Sequence, residues 1–432
     1  MLPSLFVVLA PTAPLCAQVS QTPAAVHRAP QRAPLFSERS APSLPFAPAL
    51  YGRGVAAGDL DRDGSVDFLI STANGAVVYM NRGTAGFVDE TASRVGAVPG
   101  GSSTCKLGDL NGDAWLDAVL LSDASGVPDM LLLGDGFGGL GPAVALPSGV
   151  TTSSDVELAD VDLDGDLDVV RSVGSSGHSN SAGRDLLLLG DGAGGFSPQA
   201  EFETATWNDP ILPSTGLCVL DANLDGLPDL LVTRADSGNA TGSPGARNLL
   251  LLGVGGGRFA DGTDQLPSLE DNSYDAVALD LEGDGDLDIV VANSLLGVSG
   301  AQSGDVLVNQ GGVQGGTVGH FLDRQGALEE APSIAEAIRL APLTADVDLD
   351  GRPDVLLRVH DLPPGGEQPL FLGRGLDFVR APSIGTGTLI SGGGAFADID
   401  GDGDPDLLLT SAGSAAGGTS QGRVRLFLNL AR

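Results

Sequence analysis

The sequence predicts an all-β fold, a seven-bladed β-propeller of four-stranded antiparallel blades closed by an N-terminal strand that completes the last blade. Three observations carry that prediction. A nine-residue acidic motif recurs seven times, short and continuously apolar runs recur around it in a fixed order, and the outer-strand signal missing after the last copy stands near the start of the chain.

The motif reads Asp-x-Asp/Asn-x-Asp-Gly-x-x-Asp, with a Glu at its third position in one copy. It starts at Asp59, Asp109, Asp160, Asp221, Asp280, Asp346 and Asp398. The intervals of 50, 51, 61, 59, 66 and 52 residues each match one four-stranded sheet with its turns, the unit of a radial propeller. A strand-like run precedes each motif (156–159, 217–220, 276–279) and a second follows it (68–70, 118–121, 230–232, 289–291). A third run is almost wholly apolar (131–133, 186–189, 249–252). Hydrophobicity that is continuous rather than alternating marks strands covered on both faces, as when blades stack on each other. Runs of about four to six residues bounded by Gly and Asp favour strands over buried helices.

After the third run comes a Gly-rich turn, as in 190–195, and then a residue that opens an outer strand: Phe87, Leu140, Phe196, Phe259, Phe321 and Phe378. The seventh copy stops at its third strand, 424–430. The segment around Leu35 to Ser43, with Pro34-Leu35-Phe36-Ser37-Glu38 resembling the other outer strands, is expected to supply the missing one. Joining the termini in this way removes two exposed sheet edges.

Charge narrows the function. The 432 residues carry 22 Lys plus Arg against 56 Asp plus Glu, a formal net charge of −34. Such a surface repels nucleic-acid phosphate and anionic lipid, so no nucleic-acid partner is expected. At 42 % hydrophobic content the chain has a core to bury and is not a disordered acidic chain. No apolar run after the N-terminus approaches the roughly 20 residues needed to span a bilayer.

The acidity is concentrated in the motifs. Their positions one, three, five and nine are Asp59, Asp61, Asp63 and Asp67; Asp109, Asn111, Asp113 and Asp117; Asp160, Asp162, Asp164 and Asp168; Asp221, Asn223, Asp225 and Asp229; Asp280, Glu282, Asp284 and Asp288; Asp346, Asp348, Asp350 and Asp354; and Asp398, Asp400, Asp402 and Asp406. Only Asn111 and Asn223 are not carboxylates; without the other 26 the formal charge would be −8. Two carboxylates about 4 Å apart repel by roughly 4 kcal/mol at an effective dielectric near 20, so a loop packing four together calls for a cation. Oxygen-only donors on a flexible loop suit Ca²⁺ better than Mg²⁺. Glycine at position six permits the sharp turn such a loop needs. A helix-loop-helix calcium hand would require Glu at position twelve, where the first copy has Ile70. Acidic surface turns selected for solvation would explain one loop, but not seven in register. Up to seven Ca²⁺ ions are expected. The second loop, with Ala114 at position six and Gly112 at position four, and the fifth, with the longer Glu282, are the two expected to bind poorly.

These copies, for example Asp160 to Asp168 followed by Leu186 to Phe196, resemble FG-GAP (VCBS-type) repeats, as in the N-terminal propeller of integrin alpha chains. The resemblance covers residues 34–432. It implies a seven-bladed propeller with Ca²⁺ in the loops joining the first and second strands of each blade, and no particular ligand.

The remaining readings are expectations. Residues 1–17, with an apolar stretch at 5–10 and a small residue at Ala17, read as a secretory leader, and residues 18–33 as a linker. The mature protein is then secreted or at the cell surface. Cys105 and Cys218, on blades two apart, are expected to be buried thiols rather than a disulfide. Long segments opposite the metal loops (174–184, 235–247, 294–304, 411–422) make that face the expected binding surface, with Trp207, Asn208, Asp209, Tyr274, Arg184 and Arg247 as candidate contacts. The expected function is a monomeric, calcium-binding interaction module for an extracellular glycan or protein. The alternative is a calcium-dependent polysaccharide lyase or hydrolase on the same face. Catalysis is the less favoured reading, because His27, His178, His320, His360 and the sole lysine, Lys106, share no motif context.

Overall fold

The computed structural model describes residues 27–28, 35–38, 52–99, 101–122, 126–149, 152–174, 184–205, 214–235, 246–269, 271–293, 304–328, 340–359, 367–382, 384–385, 391–411 and 424–431. Within them seven antiparallel blades form a ring, with two helices of four and five residues and three short 3₁₀ turns. In chain order, from inner to outer strand, blade one is Gly52–Gly58, Asp67–Thr72, Gly75–Asn81 and Phe87–Asp89. Blade two is Ser102–Gly108, Asp117–Ser122, Met130–Leu132 and Val144–Ala145. Blade three is Ser153–Ala159, Asp168–Val173, Leu186–Gly190 and Phe196–Pro198. Blade four is Ser214–Leu220, Asp229–Arg234, Leu249–Gly253 and Phe259–Asp261. Blade five is Ser273–Leu279, Asp288–Asn293, Gly304–Asn309 and Phe321–Asp323. Blade six is Leu340–Ala345, Asp354–Val359, Leu370–Arg374 and Asp377–Arg380. Blade seven is Ser391–Ala397, Asp406–Ser411 and Val424–Asn429.

Blade seven takes its outer strand from Phe36–Glu38, which pairs antiparallel with the last strand: Phe36 lies opposite Asn429 and Glu38 opposite Phe427. The N-terminal closure expected from the sequence is therefore present. Two residues of the expected linker also enter the sheet system, since His27–Arg28 run parallel to the outer strand of blade six.

The apolar runs explain the ring. Every middle strand is buried on both faces because alternate residues serve different neighbours. Phe68, Ile70 and Tyr79 pack against Leu408, Val424 and Leu426 of blade seven, whereas Leu69, Val78 and Met80 pack against Cys105, Leu120 and Leu132 of blade two. The same division gives seven apolar clusters, one at each seam between blades. Each large aliphatic side chain taken fully out of water at a seam contributes about 1.5–3 kcal/mol. Cys105 and Cys218 belong to two of these seams as free buried thiols, and burial pushes the Cys105 thiol up to about 12.

Blade two departs from the expected pattern. Leu140 makes only isolated bridges to Gly134 and Val95, and the outer strand lies further on, at Val144–Ala145. Pro142 intervenes and has no N–H for the ladder, so the strand cannot run continuously from Leu140.

Candidate metal centres

The acidic motifs form the loops between inner and second strands, and all seven share one set of bonds. The position-one carboxylate accepts the backbone N–H groups of positions five and six: Asp160 takes Asp164 and Gly165 at 3.0 Å each, and Asp221 takes Asp225 and Gly226. The position-five carboxylate accepts the N–H of position seven, as Asp63 does from Ser65. The loop thus winds around its own carboxylates.

That winding needs two left-handed residues, at positions four and six. Position six is Gly in six loops, with φ between 83° and 102°, and Ala114 at φ 68° in the second. Position four is left-handed too, occupied by Arg62, Leu163, Leu224 and Leu349 at φ 56–63° and by glycine in the other three loops. Gly112 therefore conforms to the other copies rather than departing from them. It fills a position that demands positive φ in every copy, and Ala114 bears the strain that glycine avoids elsewhere.

Position nine has a role that the motif alone does not reveal. In every blade this Asp is 0–1 % exposed and brackets two segments. One oxygen accepts the N–H of position two, and the other accepts an N–H at the end of the third strand. The pairs are Leu60 and Asn81 on Asp67, Leu110 and Gly134 on Asp117, Val161 and Gly190 on Asp168, Ala222 and Gly253 on Asp229, Leu281 and Asn309 on Asp288, Val347 and Gly373 on Asp354, and Ile399 and Asn429 on Asp406. Burial outweighs these bonds, pushing Asp67, Asp168, Asp229 and Asp406 up to about 6 and Asp354 up to about 7.

In four loops positions one, three and nine bring oxygens within 4.8 Å of one another: Asp59, Asp61 and Asp67; Asp160, Asp162 and Asp168; Asp346, Asp348 and Asp354; Asp398, Asp400 and Asp406. These four clusters could hold a metal ion. Position five is not part of the convergence. In the second and fourth loops Asn111 and Asn223 replace the third carboxylate and donate to Asp113 and Asp225, which relieves repulsion without a cation. In the fifth, Glu282 is tied to Gln314.

Unpaired oxygens show that the residues fit a cation. Oδ1 of Asp61 and of Asp348 is buried with no hydrogen-bond donor. At position seven of the fifth and seventh loops, Asp286 and Asp404 are each 1 % exposed, and neither oxygen of either meets a donor. Burial and the neighbouring carboxylates push Asp286 up to about 7 and Asp404 up to about 6. Leaving such groups buried without a partner costs about 1–3 kcal/mol each, more for a charge.

Acidic loops and Gly-rich turns share one face of the ring. Gly138, Gly194, Gly257 and Gly319 sit against position three of the preceding blade, and a side chain at Gly138 or Gly319 would come within 3.0 Å of Asp61 or Asn223. At the seam of blades seven and one this packing opens into a cleft of about 480 Å³ lined by Asp398, Asp400, Thr84, Phe87 and Leu426.

Of the candidate ligand contacts, Trp207, Asn208 and Asp209 lie outside the described residues, as do residues 1–17 and most of the long segments. Arg184 and Arg247 precede the third strands of blades three and four, while Tyr274 lies on the inner strand of blade five. Arg247 is engaged within its own blade, by Asp264 at 3.1 Å and by the carbonyls of Thr263 and Leu266. The three are thus spread over three blades.

Two polar systems escaped the sequence reading. Where the inner strands converge, Lys106 pairs with Glu157 at 2.9 Å, Asp155 accepts the N–H of Leu217, and Arg358 donates to the carbonyl of Gly392. With Asp275 they form a half-buried charged lining on four blades, and burial together with Asp155 pushes Asp275 up to about 8. At the end of the blades opposite the metal loops, a polar residue opening the third strand reaches the serine that opens the next inner strand. Asp129 bonds Ser153, Asp185 bonds Ser214 and Asn248 bonds Ser273. Arg171 adds a buried ion pair to Asp129 at 3.0 Å. The signal for this second system was a Ser, repeated seven residues before the motif.

Fold and loops together define a β-propeller with carboxylate-rich strand connections repeated around one face. Residues 59–120, 221–291 and 346–409 match the model of the FG-GAP-like repeat, and residues 392–427 match that of the FG-GAP repeat. The chain is an FG-GAP-repeat β-propeller. Among solved structures it is similar to an Agrocybe aegerita lectin described as recognising non-reducing terminal N-acetylglucosamine, with 17 % identity over 78 % of this chain and 81 % of that one and a TM-score of 0.49. No curated protein gives a match.

Proposed function

We propose that this chain is a secreted, calcium-stabilised binding module whose ligand is an extracellular glycan or protein. The observation that carries the reading is the set of buried carboxylate oxygens without donors, held in cation-sized clusters on one face of a closed ring. The donors are all oxygens, on loops able to adjust, which favours Ca²⁺. Bound there, calcium would neutralise positions one, three and nine of the loop and hold the inner and second strands of a blade together. Asp286 and Asp404 would add side-chain oxygens in the fifth and seventh loops.

A binding role is preferred to catalysis because Lys106 and His320 lie on different blades. Lys106 is paired with Glu157, and His320 lies in an exposed turn before the outer strand of blade five. No helix among the described residues is long and apolar enough to cross a membrane. The test has two arms. Thermal melting with calcium and with EGTA should differ by several degrees, and equal melting would remove the metal from the reading. A glycan array probed with calcium present should retain the protein on a defined set of sugars. Release of unsaturated sugars from an acidic polysaccharide would instead move the assignment to a lyase.

A further inference from the structure

Two of the four carboxylate clusters already contain a positive charge of the chain's own. Arg82 follows Asn81, and Arg374 follows Gly373; Asn81 and Gly373 are the residues whose N–H groups bond position nine. The two arginines therefore occupy the same place in blades one and six. Arg374 reaches back with both arms of its fork, Nη2 to Asp348 Oδ2 and Nη1 to Asp350 Oδ2, each at 2.6 Å. Arg82 Nη1 lies 2.8 Å from Asp61 Oδ2 and 3.6 Å from Asp63 Oδ2, and its other arm is held by Glu90 at 2.7 Å. Arg94, fixed by the same Glu90, adds a second guanidinium 3.7 Å from Asp61.

The remaining two clusters differ. Among the described residues no cationic side chain pairs with Asp160, Asp162 or Asp164, or with Asp398 or Asp400. The equivalent residues in blades three and seven are Asp191, which accepts N–H groups of its own Gly-rich turn, and the uncharged Leu430.

We propose that Arg82 and Arg374 are resident counter-ions of the first and sixth loops, which keep those loops closed without a divalent cation and make them the weaker cation sites of the ring. This rests on the calcium reading above. The geometry leaves room for both charges, because the guanidinium takes Oδ2 of position three while Oδ1 of Asp61 and Asp348 stays buried without a donor. A divalent ion on Oδ1 then binds beside a fixed positive charge. The third loop lacks that charge at positions one, three and five among the described residues, so chelation should loosen it first.

Arg374→Gln in the full chain tests this. In EGTA the variant should melt below wild type, because positions three and five of the sixth loop lose their only charge partner among the described residues. In calcium titrations followed by calorimetry, one site should tighten about tenfold or more, since a unit charge next to a divalent ion has been removed. Arg374→Lys keeps the charge without the fork and should restore much of the EGTA melting temperature with little tightening. Unchanged melting in EGTA together with unchanged calcium affinities in Arg374→Gln would overturn the proposal. A wild-type chain that takes up no divalent ion would sink the calcium reading alone, and a lowered EGTA melting temperature in the variant would still support the counter-ion.

Discussion

Asp229 offers a clean test of whether position nine is a structural bracket in its own right. Blade four is the suitable place because Asn223 stands at its position three, so no three-carboxylate cluster confuses the result. Oδ2 of Asp229 accepts the N–H of Ala222 at 2.9 Å and Oδ1 that of Gly253 at 2.7 Å, with the side chain fully buried. Asp229→Ala leaves both donors unpaired, at about 1–3 kcal/mol each, or roughly 2–6 kcal/mol together. One term opposes this. Burial raises the Asp229 carboxyl from 3.8 to about 6, so at pH 8 its charge costs the native state up to about 3 kcal/mol, which the substitution relieves. A raised folded value means that the carboxyl's contribution to stability is fully present below pH 3.8 and is lost as pH rises through about 6. The loss on substitution should therefore be larger at pH 5, where about half of that cost applies, than at pH 8. With an unfolding entropy of about 0.9 kcal/mol/K for a chain of this length, 2–6 kcal/mol corresponds to roughly 2–7 °C. The assay is calorimetry in EGTA at both pH values. If the variant melted within about 1 °C of wild type at pH 5, the N–H groups would have other partners and the bracket would carry no weight.

Other consequences can be checked in the same way. Ala114→Gly relieves the left-handed strain at φ 68° in the second loop and should raise stability by up to about 1 kcal/mol in urea unfolding; a loss would show the loop to be unstrained. Removing residues 1–43 strips Phe36–Glu38 from blade seven and exposes the edge Val424–Asn429, so light scattering should reveal association, and an unchanged monodisperse chain would refute closure by this strand. Burial pushes Asp305 up to about 7, so its contribution to stability is present at low pH and lost as pH rises toward 7. Asp305→Asn keeps an acceptor for Asn293 and should gain about 2–4 kcal/mol over wild type at pH 8 and less than half as much at pH 5; parallel pH profiles would contradict this.

The number of blades, the order of strands within them and the place of closure were all legible in the residue pattern. Spacing and continuous hydrophobicity are local and repeated seven times, so a signal weak in one copy, such as Phe36-Ser37-Glu38, was legible by comparison with the others. The residue pattern also located the acidic loops. It could not distinguish the jobs of four acidic positions, because those jobs depend on what comes near in space. Position nine meets an N–H some 14 to 24 residues away, at the end of the third strand. Arg82 and Arg374 reach back 21 and 26 residues to position three. Asp129 and Ser153 meet only because neighbouring blades stack. Charge clustering is a property of composition, whereas its neutralisation by backbone donors, by guanidinium or by a cation is decided by packing, since only the folded ring brings those partners within bonding distance.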